Sequence, residues 1–218
     1  MKNILQKTVV LSLCAIVLFS CDSRETQPAD TVIATEPTPP EETESLYTDR
    51  AFNQWKMYYS ERDVDMTSGN FELDNTIDVV PENATSAAMW EPGFDPVYLP
   101  YLAFNADSSM YVDIHSYKWK AYEGEEIAIN PDQEVMLVNR KDKTKKRLFF
   151  YGPTFWVEDA YFKNDSIVVL MENNDERLPA YQELNIRTMK SDYYVLKESV
   201  NFDSDYLNRI VTRRGIKP

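Results

Sequence analysis

The chain reads FWVEDAYF at 155–162, KNDS at 163–166 and IVVLME at 167–172. Two runs rich in β-branched and aromatic residues flank a short polar turn whose Asn and Asp tolerate tight backbone geometry. Each run has the length of a strand, and a connection this short joins antiparallel neighbours. The same pattern recurs outward in both directions. Candidate strands are Phe71–Leu73 with Thr76–Val80, Val97–Phe104, Met110–Tyr117, Glu134–Asn139, Arg147–Tyr151, Tyr181–Arg187 and Tyr193–Glu198. Turn residues separate them at Asn105-Ala106-Asp107-Ser108, Asn130-Pro131-Asp132, Gly152-Pro153 and Asn173-Asn174-Asp175. Only five glycines occur in 218 residues, so Asn and Asp are expected to take the turn positions with positive φ.

A helix is expected at each end of this β region. Thr48 suits an N-cap for a helix from Asp49 to about Arg62, with Ala51, Phe52, Trp55, Tyr58 and Tyr59 on one face. Ser204 suits the N-cap of a second helix, with Asp205 in its first turn and Tyr206, Leu207, Ile210 and Val211 as the apolar face. Arg213 and Arg214 complement its negative end, and Gly215 can terminate it. The expected fold is therefore all-β and mainly antiparallel, a sandwich, a barrel or a partial propeller, with a short N-terminal and a C-terminal helix. The propeller enters through a faint repeat. Phe104-Asn-Ala-Asp107-Ser108 precedes Met110-Tyr-Val, and Phe162-Lys-Asn-Asp165-Ser166 precedes Ile167-Val-Val. Because the spacing of the repeat is irregular, two hairpins with similar turns in a sandwich or barrel account for it better than propeller blades.

Ahead of the β region the composition changes twice. Lys2 and Lys7 precede an apolar run from Val9 to Phe19, too short to span a bilayer as a permanent helix and suited to a signal peptide. The run closes on Leu18-Phe19-Ser20-Cys21, which resembles the lipobox of bacterial lipoproteins. The resemblance implies that the Cys21 thiol is alkylated with a diacylglycerol, that the bond before it is cut, and that the new amine is acylated. Cys14 lies inside the removed segment, which leaves the folded part with no cysteine for a disulfide or a thiolate metal site. Residues 22–45 follow with Pro28, Pro37, Pro39, Pro40 and five threonines among acids, and show no apolar periodicity. Such a segment cannot bury enough surface to offset its ordering entropy and reads as an extended tether. The expected organisation is a signal peptide at 1–20, a lipidated Cys21 with its acidic tether at 21–46, and one β-rich domain at 47–218.

Charge narrows the partners. The full chain has 23 basic and 36 acidic residues, a net −13. Removing 1–20 takes two lysines and no acid; residues 22–46 hold seven acids and one arginine, which leaves 20 bases against 29 acids, or −9, on 47–218. An acidic surface argues against nucleic acid and against adsorption to anionic headgroups.

Few groups in the domain point to chemistry. His115 is the only histidine, in Asp113-Ile114-His115, where alternation places Asp113 and His115 on one strand face. That pair can orient a base or hold a metal; one histidine without a cysteine makes a poor zinc site, and a half-exposed strand histidine is the plain alternative. Arg140, Lys141, Lys145, Lys146 and Arg147 form the one basic island, either a site for an anionic group or a solvated hairpin turn that protects a sheet edge. Trp90, in Trp90-Glu91-Pro92-Gly93, is the tryptophan best placed for exposure on a loop, where it can stack on a sugar; core packing is the alternative. Asp63-x-Asp65 and Asp203-x-Asp205 lack the glycine and distal glutamate of a calcium loop. Asp30-Thr31-Val32 and Asp165-Ser166-Ile167 resemble the acceptor of a general O-glycosylation system of some Gram-negative bacteria, which implies modification at Thr31 and Ser166. There is no Gly-x-Ser-x-Gly, phosphate-cradling glycine loop or His-Glu-x-x-His.

The expectation is a lipid-anchored protein of a Gram-negative cell envelope, at the outer membrane, acting as a non-enzymatic binding module for a protein or glycan, without a cofactor and without nucleic acid. A hydrolase of envelope or extracellular polymers, with carboxylates that sequence alone does not single out, is the first alternative. A structural accessory of an envelope complex is the second.

Overall fold

The computed structural model describes residues 48–121 and 127–213. The signal peptide, Cys21, the tether with Thr31, and the Arg214-Gly215 helix stop lie outside the described residues.

The order of elements is α1 (Thr48–Ser60), β1 (Phe71–Asp78), β2 (Ala103–Phe104), β3 (Met110–Asp113), β4 (Trp119–Ala121), β5 (Ile127–Ile129), β6 (Gln133–Asn139), β7 (Thr144–Tyr151), β8 (Phe155–Asn164), β9 (Ile167–Asn174), β10 (Ala180–Asn185), β11 (Lys190–Leu196) and α2 (Tyr206–Arg213). All described strand pairs are antiparallel. A five-stranded sheet has the order β1-β11-β10-β9-β8, a four-stranded sheet the order β2-β3-β6-β7, and β4 pairs with β5. Neither larger sheet closes into a barrel. The two similar turns belong to different sheets, β2–β3 in one and β8–β9 in the other, so they are hairpins and not propeller blades.

The molecule is layered. Val168, Leu170, Leu184 and Phe162 of the five-stranded sheet pack on Val112, Val135 and Leu148 of the four-stranded sheet and on Ile114 just past β3. On the opposite face of the larger sheet, Tyr161, Val169 and Met171 meet Trp55, Tyr58 and Tyr59 of α1 and Tyr206, Leu207 and Ile210 of α2. The outer face of the smaller sheet, with Tyr111, Met136 and Val138, is covered by Ala88, Met89 and Leu102 of the segment between β1 and β2. β8 and β9 are therefore buried on both faces, which is why their sequences are apolar nearly without alternation. At the middle of β8 the register slips: Val157 pairs with Glu172, and the next partners are Asp159 and Met171. This bulge turns Glu158 and Asp159 toward the same, helical layer, where they meet Trp55 and Tyr206 respectively.

Three expectations are corrected. Residues Val97–Phe104 are not one strand: Pro96–Tyr101 is a 3₁₀ helix and only Ala103–Phe104 pairs in the sheet. Asp95 accepts a hydrogen bond from the Val97 amide at 2.9 Å, and Pro96 follows it, which is an N-cap and first-turn proline. Met110–Tyr117 ends as a strand at Asp113, because the Asp113 carboxylate accepts from the backbone amides of His115 (2.8 Å) and Ser116 (3.0 Å) and turns the chain. The positive-φ turn positions fall on Ser108, Lys143, Arg177 and Met189 as well as Asp63, rather than on Asn and Asp in general. The asparagines act earlier in each turn: the side chains of Asn105, Asn139, Asn174 and Asn185 accept backbone amides two to five residues further along and fix the turn's entry.

Candidate functional site

β3 ends at Asp113, so strand alternation does not set the side chains of Asp113 and His115. Asp113 is buried and its carboxylate is occupied by the turn it caps, with Ser116 Oγ as a further donor. His115, only 1% exposed, packs its ring on Tyr101 at 5.2 Å between centroids. Both are embedded in the fold, and the plain alternative of a half-exposed strand histidine is also replaced by burial.

The basic island is the β6–β7 turn and the start of β7, the edge strand of the smaller sheet. Its charges reach acids and carbonyls of the neighbouring loops. Arg140 donates to the Ser108 carbonyl at 2.8 Å and lies over the Phe104 ring at 5.9 Å. Lys141 meets Asp107 at 2.8 Å, and that pair, with the Ser109 donors, holds the Asp107 carboxyl well below the usual range. Lys145 Nζ donates to the Ser86 carbonyl at 2.8 Å and pairs with Glu91 at 2.5 Å. Arg147 pairs with Glu82, whose backbone also bridges to Arg147. Lys146 alternates to the other face of the strand and is exposed. Lys145 and Arg147 thus pin the covering segment onto the smaller sheet, while Arg140 and Lys141 hold the β2–β3 turn. Trp90 lies in that segment, half-buried against the Ala88, Met89 and Tyr111 cluster. Ser166 sits in the β8–β9 turn, partly exposed, with its amide donating to Asn164 Oδ1 at 2.9 Å.

What sequence reading did not single out is a set of buried carboxylates that face neutral donors. Glu158 accepts from Trp55 Nε1 at 2.7 Å and Tyr59 OH at 2.8 Å, with Ser204 Oγ beside them. Burial raises its carboxyl pKa against the pull of those donors. Asn173 donates to the Tyr59 oxygen at 2.8 Å and extends the network to β9. Glu172, on the other face of the sheet, accepts from Tyr151 OH at 2.7 Å and from the Gln182 amide. Ser191 Oγ in turn donates to Gln182 Oε1 at 2.7 Å and fixes that amide. Burial pushes the Glu172 carboxyl up to about 7. Glu134, on the outer face of the smaller sheet, accepts from the amides of Thr85 (2.7 Å) and Ser86 (2.9 Å). Each acid serves a different interface between layers, and they do not converge on a common cleft. The signal that could have found them is parity: Glu172 continues the face of Val168 and Leu170.

The acid pairs are also committed. Asp65 accepts from the Thr67 amide at 3.0 Å, and Asp203 pairs with Arg177 at 2.6 Å. Asp205 accepts from Tyr58 OH at 2.6 Å and lies between Arg62 (3.6 Å) and Arg209 (3.0 Å), beside a cleft of about 160 Å³ between α1 and α2. Arg62 also lies over the Tyr58 ring at 3.9 Å, so this cluster clamps the two helices together. Among the described residues no group of three His, Cys, Asp or Glu is placed to hold a metal ion. No described helix is long and apolar enough to cross a membrane.

β1 pairs with β11 along one side, and no described strand pairs with its other side. All its residues after Phe71 are exposed. No protein-family model matches the chain, and neither a curated protein nor a solved structure is found similar to it.

Proposed function

We propose that the protein is a lipid-anchored binding module of a Gram-negative cell envelope, held at the outer membrane through Cys21 and presenting a rigid β domain to a protein or glycan partner. The observation that carries the anchor is Leu18-Phe19-Ser20-Cys21 directly behind a basic start and a short apolar run. Two or more acyl chains at one cysteine hold a protein stably where one chain does not. The binding role is supported by how the polar side chains are spent. Asp113, Glu134, Glu158 and Glu172 serve as acceptors within the layers, and the basic turn is paired with Asp107, Glu91 and Glu82. A domain built this way offers its surface, not an interior, to a partner.

The test is metabolic labelling with a palmitate analogue in a Gram-negative host, followed by membrane fractionation. The wild-type chain is expected to carry label and to sediment with the outer membrane, and Cys21→Ala to carry none. Equal labelling of the two, or wild-type protein free in the culture fluid, would overturn the anchor.

A further inference from the structure

We propose that the free edge of β1 takes an extended, lysine-bearing strand of a protein partner as a sixth strand of the larger sheet. This deepens the binding-module reading and rests on it. The first observation is the edge itself, an eight-residue strand whose outward amides and carbonyls meet no described strand. Such an edge is a template for an added strand unless it is short, covered or blocked. The second is its apolar exposure: Leu73 is 54% exposed, Ile77 40% and Val80, just past the strand, 78%. By register Leu73 stands on the α1 face of the sheet beside Tyr194, and Ile77 on the opposite face beside Ser191, so an added strand finds an apolar contact on each side.

The third observation is charge, and it chooses the partner. Glu72, Asp74 and Asp78 lie on β1, and Asp192 accepts from Thr76 Oγ1 at 2.7 Å on the neighbouring strand. The bases at this edge are Lys190, paired with Asp78 at 2.7 Å, and Lys197, whose ammonium reaches the Gly69 carbonyl at 2.8 Å. A second copy of this chain would bring the same acids against these and be repelled; a lysine-bearing strand would be attracted. The register slip between Leu73 and Asn75 twists the edge locally, which limits pairing with flat, unspecific strands.

The probe is a capped nine-residue peptide of alternating lysine and valine, titrated into the protein and followed by amide chemical shifts. Saturable shifts are expected along β1 and β11. Affinity is expected to fall at least tenfold for the glutamate-for-lysine peptide, for a peptide N-methylated at alternate residues, and for wild-type peptide against the Glu72→Lys, Asp74→Lys variant. Both substituted residues are exposed, and an unchanged spectrum elsewhere shows that the variant folds. Shifts spread over the whole acidic surface, or equal binding of the N-methylated peptide, would overturn edge pairing. Equal binding of the glutamate peptide would overturn the choice of a basic partner. Failure of every peptide alongside intact lipidation and outer-membrane sedimentation would remove the edge inference and leave the anchored module standing.

Discussion

Glu172 shows how much one residue decides. It is 2% exposed, Tyr151 and Gln182 donate to it as neutral groups, and its carboxyl moves from an ordinary 4.5 to about 7. Between those values the unfolded chain has released the proton and the folded chain keeps it. The stability this residue contributes is therefore complete below about pH 4.5 and is lost as pH rises through about 7, on the order of 3 kcal/mol in all. In Glu172→Gln the amide keeps a hydrogen bond and no longer titrates. Urea unfolding of both proteins between about pH 5 and pH 8 is expected to show the variant gaining steadily on wild type; parallel curves would refute it. Glu158 and Asp113 are shifted the same way by burial, so only the difference between the two proteins isolates Glu172. The burial of Glu172 was legible, since it continues the parity of Val168 and Leu170. Its partners were not: Tyr151 belongs to the other sheet and Gln182 to a neighbouring strand, and nothing local in a sequence states strand order.

Elements are held to one another by single side chains. Gln133, at the start of β6, donates to the carbonyls of Ile114 (2.9 Å) and Val157 (3.1 Å) and accepts from the Val157 amide at 2.7 Å. It joins the smaller sheet to β8 beside the bulge that aims Glu158 and Asp159 at the helices. Gln133→Ala would strand buried backbone groups, each costing about 1–3 kcal/mol, so a loss of about 3 kcal/mol is expected. Hydrogen exchange reads this directly: the Val157 amide is expected to lose protection well before Leu170, and uniform loss across both strands would contradict the linking role. At this scale the sequence was readable where one force dominates. Strands β8 to β11, and the two helices, follow from apolar period and turn residues. Val97–Phe104 reads as a strand from its aromatic and aliphatic content, but the preceding Asp95-Pro96 supplies a cap and a preset φ that start a 3₁₀ helix instead. β4 and β5 were missed as strands because three residues each are too few to show a period.

The whole molecule combines an acidic domain with a proposed attachment to a membrane, and the two must be reconciled. Residues 47–218 carry −9, so the folded surface is repelled by anionic headgroups, over a Debye length of about 10 Å at 0.1 M salt. Under the proposed anchoring, membrane affinity comes from acyl chains on Cys21, at roughly 0.8 kcal/mol for each buried methylene, working against the domain's charge. Layer order adds a further consequence. β1 reaches its partner β11 across the whole domain, Phe71 opposite Leu196, a pairing no local pattern announces, and it leaves the most acidic strand at the rim. The unlipidated protein, prepared from residue 22 onward, is therefore expected to stay in the supernatant with vesicles containing phosphatidylserine or phosphatidylglycerol at low salt, and to sediment with vesicles of a cationic lipid until about 0.3 M salt screens the attraction. Sedimentation with the anionic vesicles would mean that the domain carries a membrane site of its own, and the acyl chains would no longer be the sole source of attachment.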